Sequence, residues 1–202
     1  SAVDPGYSGR DVTVAQVLTQ AAADIGGQAL GAEIEAELRQ TIGQTFYGLA
    51  MYDSASTHVE RAYALRRGRY GELDQRTAQS FSTRVNLAEA RSEFAVAESL
   101  ARVDVDHQRR MPRGQQNAAA LATALDNLAR MVEQRGRLDE AMAIKLESIG
   151  IRRVEGDSAS MSTLPYALNN LAVSYEYKGD HARADSLMRE ALAVERRIRG
   201  PE

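Results

Sequence analysis

Apolar residues recur at every third or fourth position along most of the chain, which is the spacing of one face of an α-helix. Before Gly26 the series is Val14, Val17, Leu18, Ala21 and Ile25, and Asp11 can cap this helix. A second series with a spacing of four is Ile34, Leu38, Ile42 and Phe46. The period-two alternation of half-buried strands is absent. The pattern therefore predicts an all-α protein.

Glycines and polar segments divide this pattern into about nine helices. After a flexible leader at 1–10 we expect a capping helix within 11–27 and four helical hairpins in 28–202, at about 29–70, 73–111, 116–155 and 163–200. Their helices are predicted at 29–49 and 53–67, 74–91 and 93–110, 117–134 and 138–154, and 164–178 and 181–199. The polar segment 155–163 is predicted to be a loop. Pro165 would then lie in the first turn of the next helix, where its missing N–H is tolerated.

The last two hairpins repeat each other. ALDNLA at 124–129 returns as ALNNLA at 167–172, an offset of 43 positions, and Gly136 and Glu147 return at Gly179 and Glu190. A fixed long period indicates one supersecondary unit that is copied and stacked, because a single amphipathic hairpin cannot cover its own apolar face. We expect the array to continue beyond Glu202, since no polar cap follows the last hairpin, and the outer face of 181–199 to be apolar.

The repeat resembles a known family. Leu171-Ala172-x-x-Tyr175, followed by Gly179 and Ala184, is similar to the tetratricopeptide pattern, in which a small residue in the first helix admits its neighbour. The standard period is 34, and the run ALNNLAVSYEYKGDHARADSLMREALAVERRIRGPE resembles the long-repeat subclass found in kinesin light chains. The resemblance covers roughly residues 30–200 and is loosest in the second hairpin. It implies a right-handed solenoid whose first helices line a concave surface that holds an extended peptide.

The opening of the chain carries a second resemblance. VTVAQVLTQAAADI and LRQTIGQTFYGLAMYDSASTHVERAYALRR are similar to the repeat segment attached to bacterial Ser/Thr protein kinases. This resemblance implies a module of a larger signalling protein that recruits substrates or regulators. The resembled kinases often place the segment after a membrane span, so a cytoplasmic and an extracytoplasmic location both stay open.

One stripe of each first helix is predicted to face the ligand. In the last hairpin Leu164, Leu168, Leu171 and Tyr175 would pack, and the opposite stripe would be free. Shifting that free stripe back along the repeats predicts a peptide-binding groove made of Gln44, Thr83, Asn86, Thr123, Asn127, Arg130, Gln134, Tyr166, Asn170, Val173 and Tyr177. Amides can hydrogen-bond a peptide backbone, and tyrosine and arginine are frequent anchors at interfaces. Alternatively, Asn127 and Asn170 make inter-helix hydrogen bonds, and Tyr177 is a surface residue without a ligand.

Paired arginines recur near the end of every second helix, as Arg66-Arg67, Arg109-Arg110, Arg152-Arg153 and Arg196-Arg197. The simplest interpretation is that cations there are stabilised by the helix dipole. The alternative is a basic edge for an acidic or nucleic-acid ligand.

The composition argues against several other classes of function. The 202 residues contain no cysteine, and the net charge of −3 gives no overall attraction to nucleic acid. The three histidines lie in three different repeats, and Gly-rich phosphate-binding motifs are absent. We therefore expect no catalytic residues, no cofactor and no metal. The predicted function is a non-enzymatic scaffold that binds a peptide or partner domain, and the alternatives are homo-oligomerisation and binding of an acidic ligand at the basic edge.

Overall fold

The computed structural model describes residues 14–27, 31–112, 116–156 and 158–199. These residues form nine helices and contain no strand, so the predicted all-α fold is confirmed. The helices are α1 (Val14–Gly27), α2 (Ala32–Gly48), α3 (Tyr52–Tyr70), α4 (Gln75–Ala90), α5 (Phe94–Arg110), α6 (Ala118–Gln134), α7 (Leu138–Glu155), α8 (Ser158–Tyr177) and α9 (His181–Arg199). The leader at 1–10 and the capping residue Asp11 lie outside the described residues.

Two compact units divide the chain, residues 1–69 and residues 70–202. In the first unit α1 packs on α2, and α2 is joined to α3 by polar contacts that include a two-point bond from Arg61 to Glu35, at 2.9 and 3.1 Å. The second unit contains α4 to α9, in which each helix packs on the next. This second unit holds the two clefts that are described below.

The second unit is built from three hairpins with α4, α6 and α8 as their first helices. Within the described residues α4 also contacts α6 and α6 contacts α8, whereas the second helices α5, α7 and α9 are joined to one another by long side chains. Arg109 in α5 reaches Glu147 in α7 at 2.6 Å, and Arg153 in α7 reaches Glu190 in α9 at 2.7 Å. The first helices therefore lie closer to one another than the second helices do. We call the side of the unit that α4, α6 and α8 form its inner side.

The predicted packed stripe of α8 lies in the core. Leu164, Leu168 and Leu171 are buried against Met142 and Ile149 of α7, and Tyr175 packs at the edge of the same cluster. The side chains at 3–4 residue spacing cover one face of the helix, so the opposite face remains available to solvent.

Helix α8 begins six residues before the predicted position. The segment 155–163 was predicted to be a loop because Ser and Thr favour turns, but α8 starts at Ser158. Its first turns pack on α7: Ser160 is buried, Met161 joins the core, and the Arg152 side chain donates to the Thr163 hydroxyl at 3.0 Å. Tertiary packing outweighs local propensity here. Pro165 consequently lies inside the helix rather than in its first turn.

The predicted apolar series of α2 is only half correct. Ile42 and Phe46 are buried, but Ile34 and Leu38 are exposed, and Ala36, Gln40 and Gly43 are buried instead. The cause is the close approach of α3 at Gly43, where a Cβ atom would lie 2.6 Å from a Val59 methyl group. The buried face of α2 therefore combines the small residues Ala36 and Gly43 with Ile42 and Phe46.

Candidate functional site

Ten of the eleven predicted groove residues line two clefts on the inner side of the second unit. The α6–α8 cleft, of about 650 Å³, contains Arg130, Gln134, Tyr166, Asn170, Val173 and Tyr177. The α4–α6 cleft, of about 600 Å³, contains Thr83, Asn86, Thr123 and Asn127. Gln44 is exposed on α2 and belongs to the first unit. On each first helix one stripe of residues packs in the core and the opposite stripe faces the clefts. The predicted groove residues of the second unit lie on this opposite stripe.

Two tyrosines provide the exposed apolar surface of the α6–α8 cleft. Tyr166 is 65% exposed and Tyr177 is 80% exposed, and Val173 lies between them on the same side of α8. Exposed aromatic side chains leave a large apolar area in contact with water, and covering that area with a ligand is favourable. Both rings are therefore available to a ligand.

The α6–α8 cleft is also lined by a partly buried ion pair whose hydrogen bonds join three helices. Lys145 in α7 donates to both carboxylate oxygens of Glu133 in α6 at 2.8 Å. It also donates to the Ser174 hydroxyl at 2.8 Å and to the Asn170 carbonyl at 3.3 Å, both in α8. Because an unpaired buried ammonium group is costly, this set of partners holds the three helices in one arrangement.

A second network begins at Asp126, which also lines the α6–α8 cleft. The Ser148 hydroxyl donates to one of its carboxylate oxygens at 2.5 Å, and the Arg152 guanidinium donates to the other at 2.7 Å. Arg152 is almost fully buried and also donates to Ser148 and Thr163. Each anion in the lining of this cleft is thus paired with a cation.

The guanidinium of Arg130 is already paired with side chains of the protein itself. Its guanidinium binds Glu89 of α4 at 2.7 Å and the Asn127 side chain at 3.1 Å. The observed bond of Asn127 therefore lies within α6, and Asn170 receives the Lys145 bond through its backbone. Neither amide side chain makes the inter-helix bond that the alternative interpretation required.

Two of the paired arginines do not lie on an exposed edge. Arg66 and Arg152 are both buried and bind acidic residues of the first helix of their hairpin, Glu37 at 2.6 Å and Asp126 at 2.7 Å. The other six members of the predicted basic edge are exposed, namely Arg67, Arg109, Arg110, Arg153, Arg196 and Arg197.

The register of the repeats explains this difference. The left-handed residues between the helices of each hairpin are Ala50, Ser92, Gly136 and Gly179, which lie 42, 44 and 43 positions apart. At these offsets the position of Arg66 is taken by Gln108, Arg152 and the half-buried Glu195, and the exposed position holds Arg67, Arg109, Arg153 and Arg196. The predicted series of pairs assumed a nearly constant period, so its second and fourth pairs are each displaced by one residue.

Further chemistry is limited in the described part of the chain. His58 stacks on Phe46 and His107 contacts Phe81 edge-on, so both serve as packed side chains, and His181 binds Glu176 on the surface. No group of acidic and histidine side chains in the described ranges could hold a metal ion. Among the described helices, none has the length and apolar character needed to cross a bilayer.

Sequence reasoning missed Asp126, Glu133, Lys145 and Arg152 as parts of this site. Lys145 and Arg152 belong to a second helix, whereas the predicted groove contains residues of the first helices only. One available signal was a lysine in α7 where the register offsets place Val59 and Ala101, both of which are buried. A charged residue at a repeat position that other hairpins fill with a buried apolar residue indicates a local polar network.

Comparison with known proteins agrees with the repeat pattern. Residues 121–157 and 166–202 match the tetratricopeptide repeat family model. These two stretches fall on the third and fourth predicted hairpins. No curated protein sequence matches the chain.

Solved structures share the fold. BtubC from P. vanneervenii is 15% identical, with a TM-score of 0.78 over 93% of this chain and 74% of that one. A putative kinesin light chain from Podospora anserina is 14% identical, with a TM-score of 0.69 over 92% of this chain and 87% of that one. A Rap protein complexed with Competence and Sporulation Factor is 14% identical, with a TM-score of 0.70 over 88% of this chain and 47% of that one. The fold is therefore that of tetratricopeptide-like helical repeats, the fold class that the sequence predicted.

Proposed function

We propose that the inner side of α4, α6 and α8 binds an extended peptide segment of a partner protein, and that the chain acts as a non-enzymatic scaffold. The observation that carries the proposal is the pair of exposed tyrosines beside charges that are already paired. Tyr166 and Tyr177 supply apolar area, and the amides of Gln134 and Asn170 are placed to meet a peptide backbone. The fold likeness to a Rap protein complexed with Competence and Sporulation Factor supports a binding role for this fold. The similarity of the N-terminal region to kinase-linked repeats makes a signalling protein the proposed context.

The test is selection from a displayed library of random twelve-residue peptides. Peptides that bind the wild type are measured against a variant with Tyr166→Ala and Tyr177→Ala, both on the surface and therefore tolerated by the fold. We expect the affinity of the variant to fall at least about tenfold, because aromatic anchors contribute most of the energy at such interfaces. A matched control carries Leu146→Ala and Val154→Ala, two exposed apolar residues of α7 outside the cleft. Equal loss in both variants, or no loss in the tyrosine variant, would rule out the α6–α8 cleft.

Salt separates this proposal from binding at the basic edge. The cations in the α6–α8 cleft are already paired, so peptide affinity should change little between low and high ionic strength. A ligand held by Arg109 and Arg153 would first have to displace Glu147 and Glu190, and its affinity should fall steeply as salt is added.

A second candidate function is self-association through α9. Met188, Leu192 and Ile198 are exposed on this helix, and Leu192 is 53% exposed. Sedimentation at increasing protein concentration should then show a rising mass that Leu192→Asp abolishes. A constant monomer mass in the wild type would eliminate this candidate and leave peptide binding unaffected.

A further inference from the structure

The α4–α5 hairpin contains a buried carboxylate to which none of the described residues bonds a cation. Asp104 in α5 is 1% exposed, and its Oδ2 atom accepts a hydrogen bond from the Ser82 hydroxyl of α4 at 2.7 Å. Its Oδ1 atom is also buried and accepts no hydrogen bond. Burying a carboxylate without a paired cation is unfavourable, so a positive charge near Asp104 would stabilise this hairpin.

The next hairpin, α6–α7, has a cation at the corresponding position. The register offset of 44 places Ser82 on Asp126 and Asp104 on Ser148, so each hairpin has one serine–aspartate bond, with the two residue types exchanged between the helices. In the later hairpin Arg152 neutralises the aspartate at 2.7 Å. The same position in the earlier hairpin is Gln108, which has no charge. The α6–α7 hairpin therefore has a guanidinium at this position, and the α4–α5 hairpin has an amide there.

The surroundings of Asp104 do not replace that charge. Burial raises the pKa of Asp104 above its usual range, and the hydrogen bonds from Ser82 and Gln108, together with the nearby His107 ring, offset only part of the effect. The His107 ring itself packs edge-on against Phe81, with 5.2 Å between the ring centroids. The burial of Asp104 is thus only partly compensated by its surroundings.

Both neutral partners of Asp104 face the α4–α6 cleft. Ser82 and Gln108 line it, and none of its described lining residues is acidic. Among those described residues Arg76 is the one that carries a charge; it binds Asp74 at 3.0 and 3.1 Å and lies 3.4 Å from the centroid of the Tyr70 ring. The remaining lining consists of amides, hydroxyls and alanines, which leaves room for a side chain from outside.

We propose that the α4–α6 cleft takes a basic side chain, arginine or lysine, of the peptide ligand, at the position that Arg152 occupies in the following hairpin. The inference rests on the proposed peptide-binding function. The basic group donates to the Ser82 hydroxyl oxygen and the Gln108 amide oxygen, and its positive charge lies next to Asp104. Asp104 is accordingly a specificity-determining residue that acts through Ser82 and Gln108.

The experiment repeats the twelve-residue library selection with three variants. The wild type should enrich peptides with a basic residue at one fixed position, and Asp104→Asn should lose that preference while retaining the rest of the motif. The control Asp106→Asn removes the same charge from the exposed side of α5, where Asp106 binds Arg110, and should keep the preference. Gln108→Arg supplies the missing guanidinium from within the protein and should also abolish the preference.

Affinity measurements complete the test. For a wild-type peptide, replacing its basic residue with citrulline should weaken binding about tenfold, and Asp104→Asn should weaken the unmodified peptide by a similar factor. Circular dichroism confirms that each variant is folded. Enriched peptides without a basic position, or a preference that survives in Asp104→Asn, would overturn the inference while the proposed function stands. If no peptide is enriched by any protein, the proposed function itself fails, and the inference fails with it.

Discussion

A single carboxylate, Glu98 of α5, shows how strongly individual charges are held in the second unit. It is buried and accepts bonds from Arg102 at 2.9 Å, from Arg135 at 2.8 Å and from Arg137. The hydrogen bond from Arg137 is the largest cause of a pKa lowered to about 2; burial opposes it, and the bonds from Arg102 and Arg135 reinforce it. Arg135 and Arg137 flank the α6–α7 turn, so this one side chain fastens that turn to the preceding hairpin.

Replacing Glu98 with glutamine should therefore destabilise the protein in a pH-dependent way. The folded state holds the pKa of Glu98 below its unfolded value, so its contribution is complete above pH 4.5 and is lost as the pH falls toward 2. At pH 7 we expect Glu98→Gln to cost about 2 kcal/mol in denaturant unfolding, as hydrogen bonds to charged groups do. The difference should close in acid. The control Glu147→Gln breaks an exposed pair and should cost less than about 1 kcal/mol.

Gly43 lies at a close approach of α2 and α3. A Cβ atom there would lie 2.6 Å from a Val59 methyl group and 3.2 Å from the Ala55 carbonyl oxygen. We predict that Gly43→Ala destabilises the protein although alanine favours helices. Gly150→Ala in α7, where nothing lies within 4 Å, should instead stabilise it by about 1 kcal/mol. Thermal unfolding of both variants checks the contrast, and stabilisation by both would show that α3 can move away at no cost.

At the scale of elements, the hairpin turns use one backbone conformation with different residues. Ala50 and Ser92 have φ angles of 57° and 60°, and Gly136 and Gly179 have φ angles of 78° and 75° at the corresponding positions. In the left-handed region of backbone conformation, a residue with a Cβ atom is destabilised by about 1 kcal/mol, whereas glycine is not. The first two turns are therefore less favourable than the last two.

We predict that Ser92→Gly raises the free energy of unfolding by up to about 1 kcal/mol, because it removes the left-handed strain. The reciprocal change, Gly136→Ala, should lower it by a similar amount. Urea unfolding measures both effects. An unchanged or lower stability in Ser92→Gly would indicate that the flexibility glycine adds to the unfolded chain outweighs the strain.

The elements also show how far the sequence could be interpreted without a structure. Helical spacing and the copied glycine positions predicted the helices of the last two hairpins to within a few residues, except for the start of α8. That start depends on contacts of Ser160 and Thr163 with α7, which no local pattern encodes. The stripes of the first helices that line the clefts follow from the regular alternation of buried and exposed positions, and their role in binding a peptide stays a prediction. Lys145 was not expected at the cleft and Arg152 was expected on an exposed edge, because their burial depends on acidic partners in other helices, and those pairs are not periodic.

At the scale of the whole molecule, the two units should respond differently to acid. His58 lies in the first unit, where burial is the main cause of its lowered pKa and the Arg39 charge adds to the effect. The unfolded state then binds protons more readily, so the first unit should lose stability as the pH falls below about 6.5. Asp104 lies in the second unit, and its raised pKa acts in the opposite direction, because protonation relieves its buried charge.

Hydrogen exchange can observe this difference. We expect the protection factors of α2 and α3 to fall between pH 7 and pH 5, and those of α4 and α5 to be maintained. In His58→Gln the fall in α2 and α3 should disappear. A uniform decrease in all helices would show that the protein opens as one cooperative unit and that His58 does not control it.

The placement of Tyr166 and Tyr177 on one continuous helix limits which ligands can fit. They are eleven residues apart, close to three full turns, so their attachment points share one face and lie about 16 Å apart along α8. This separation is fixed within a single helix and does not change when neighbouring hairpins shift. An extended chain covers it in about five residues. If the proposed peptide contacts both tyrosines, the rise of α8 sets the shortest segment that can do so, even when neighbouring hairpins shift.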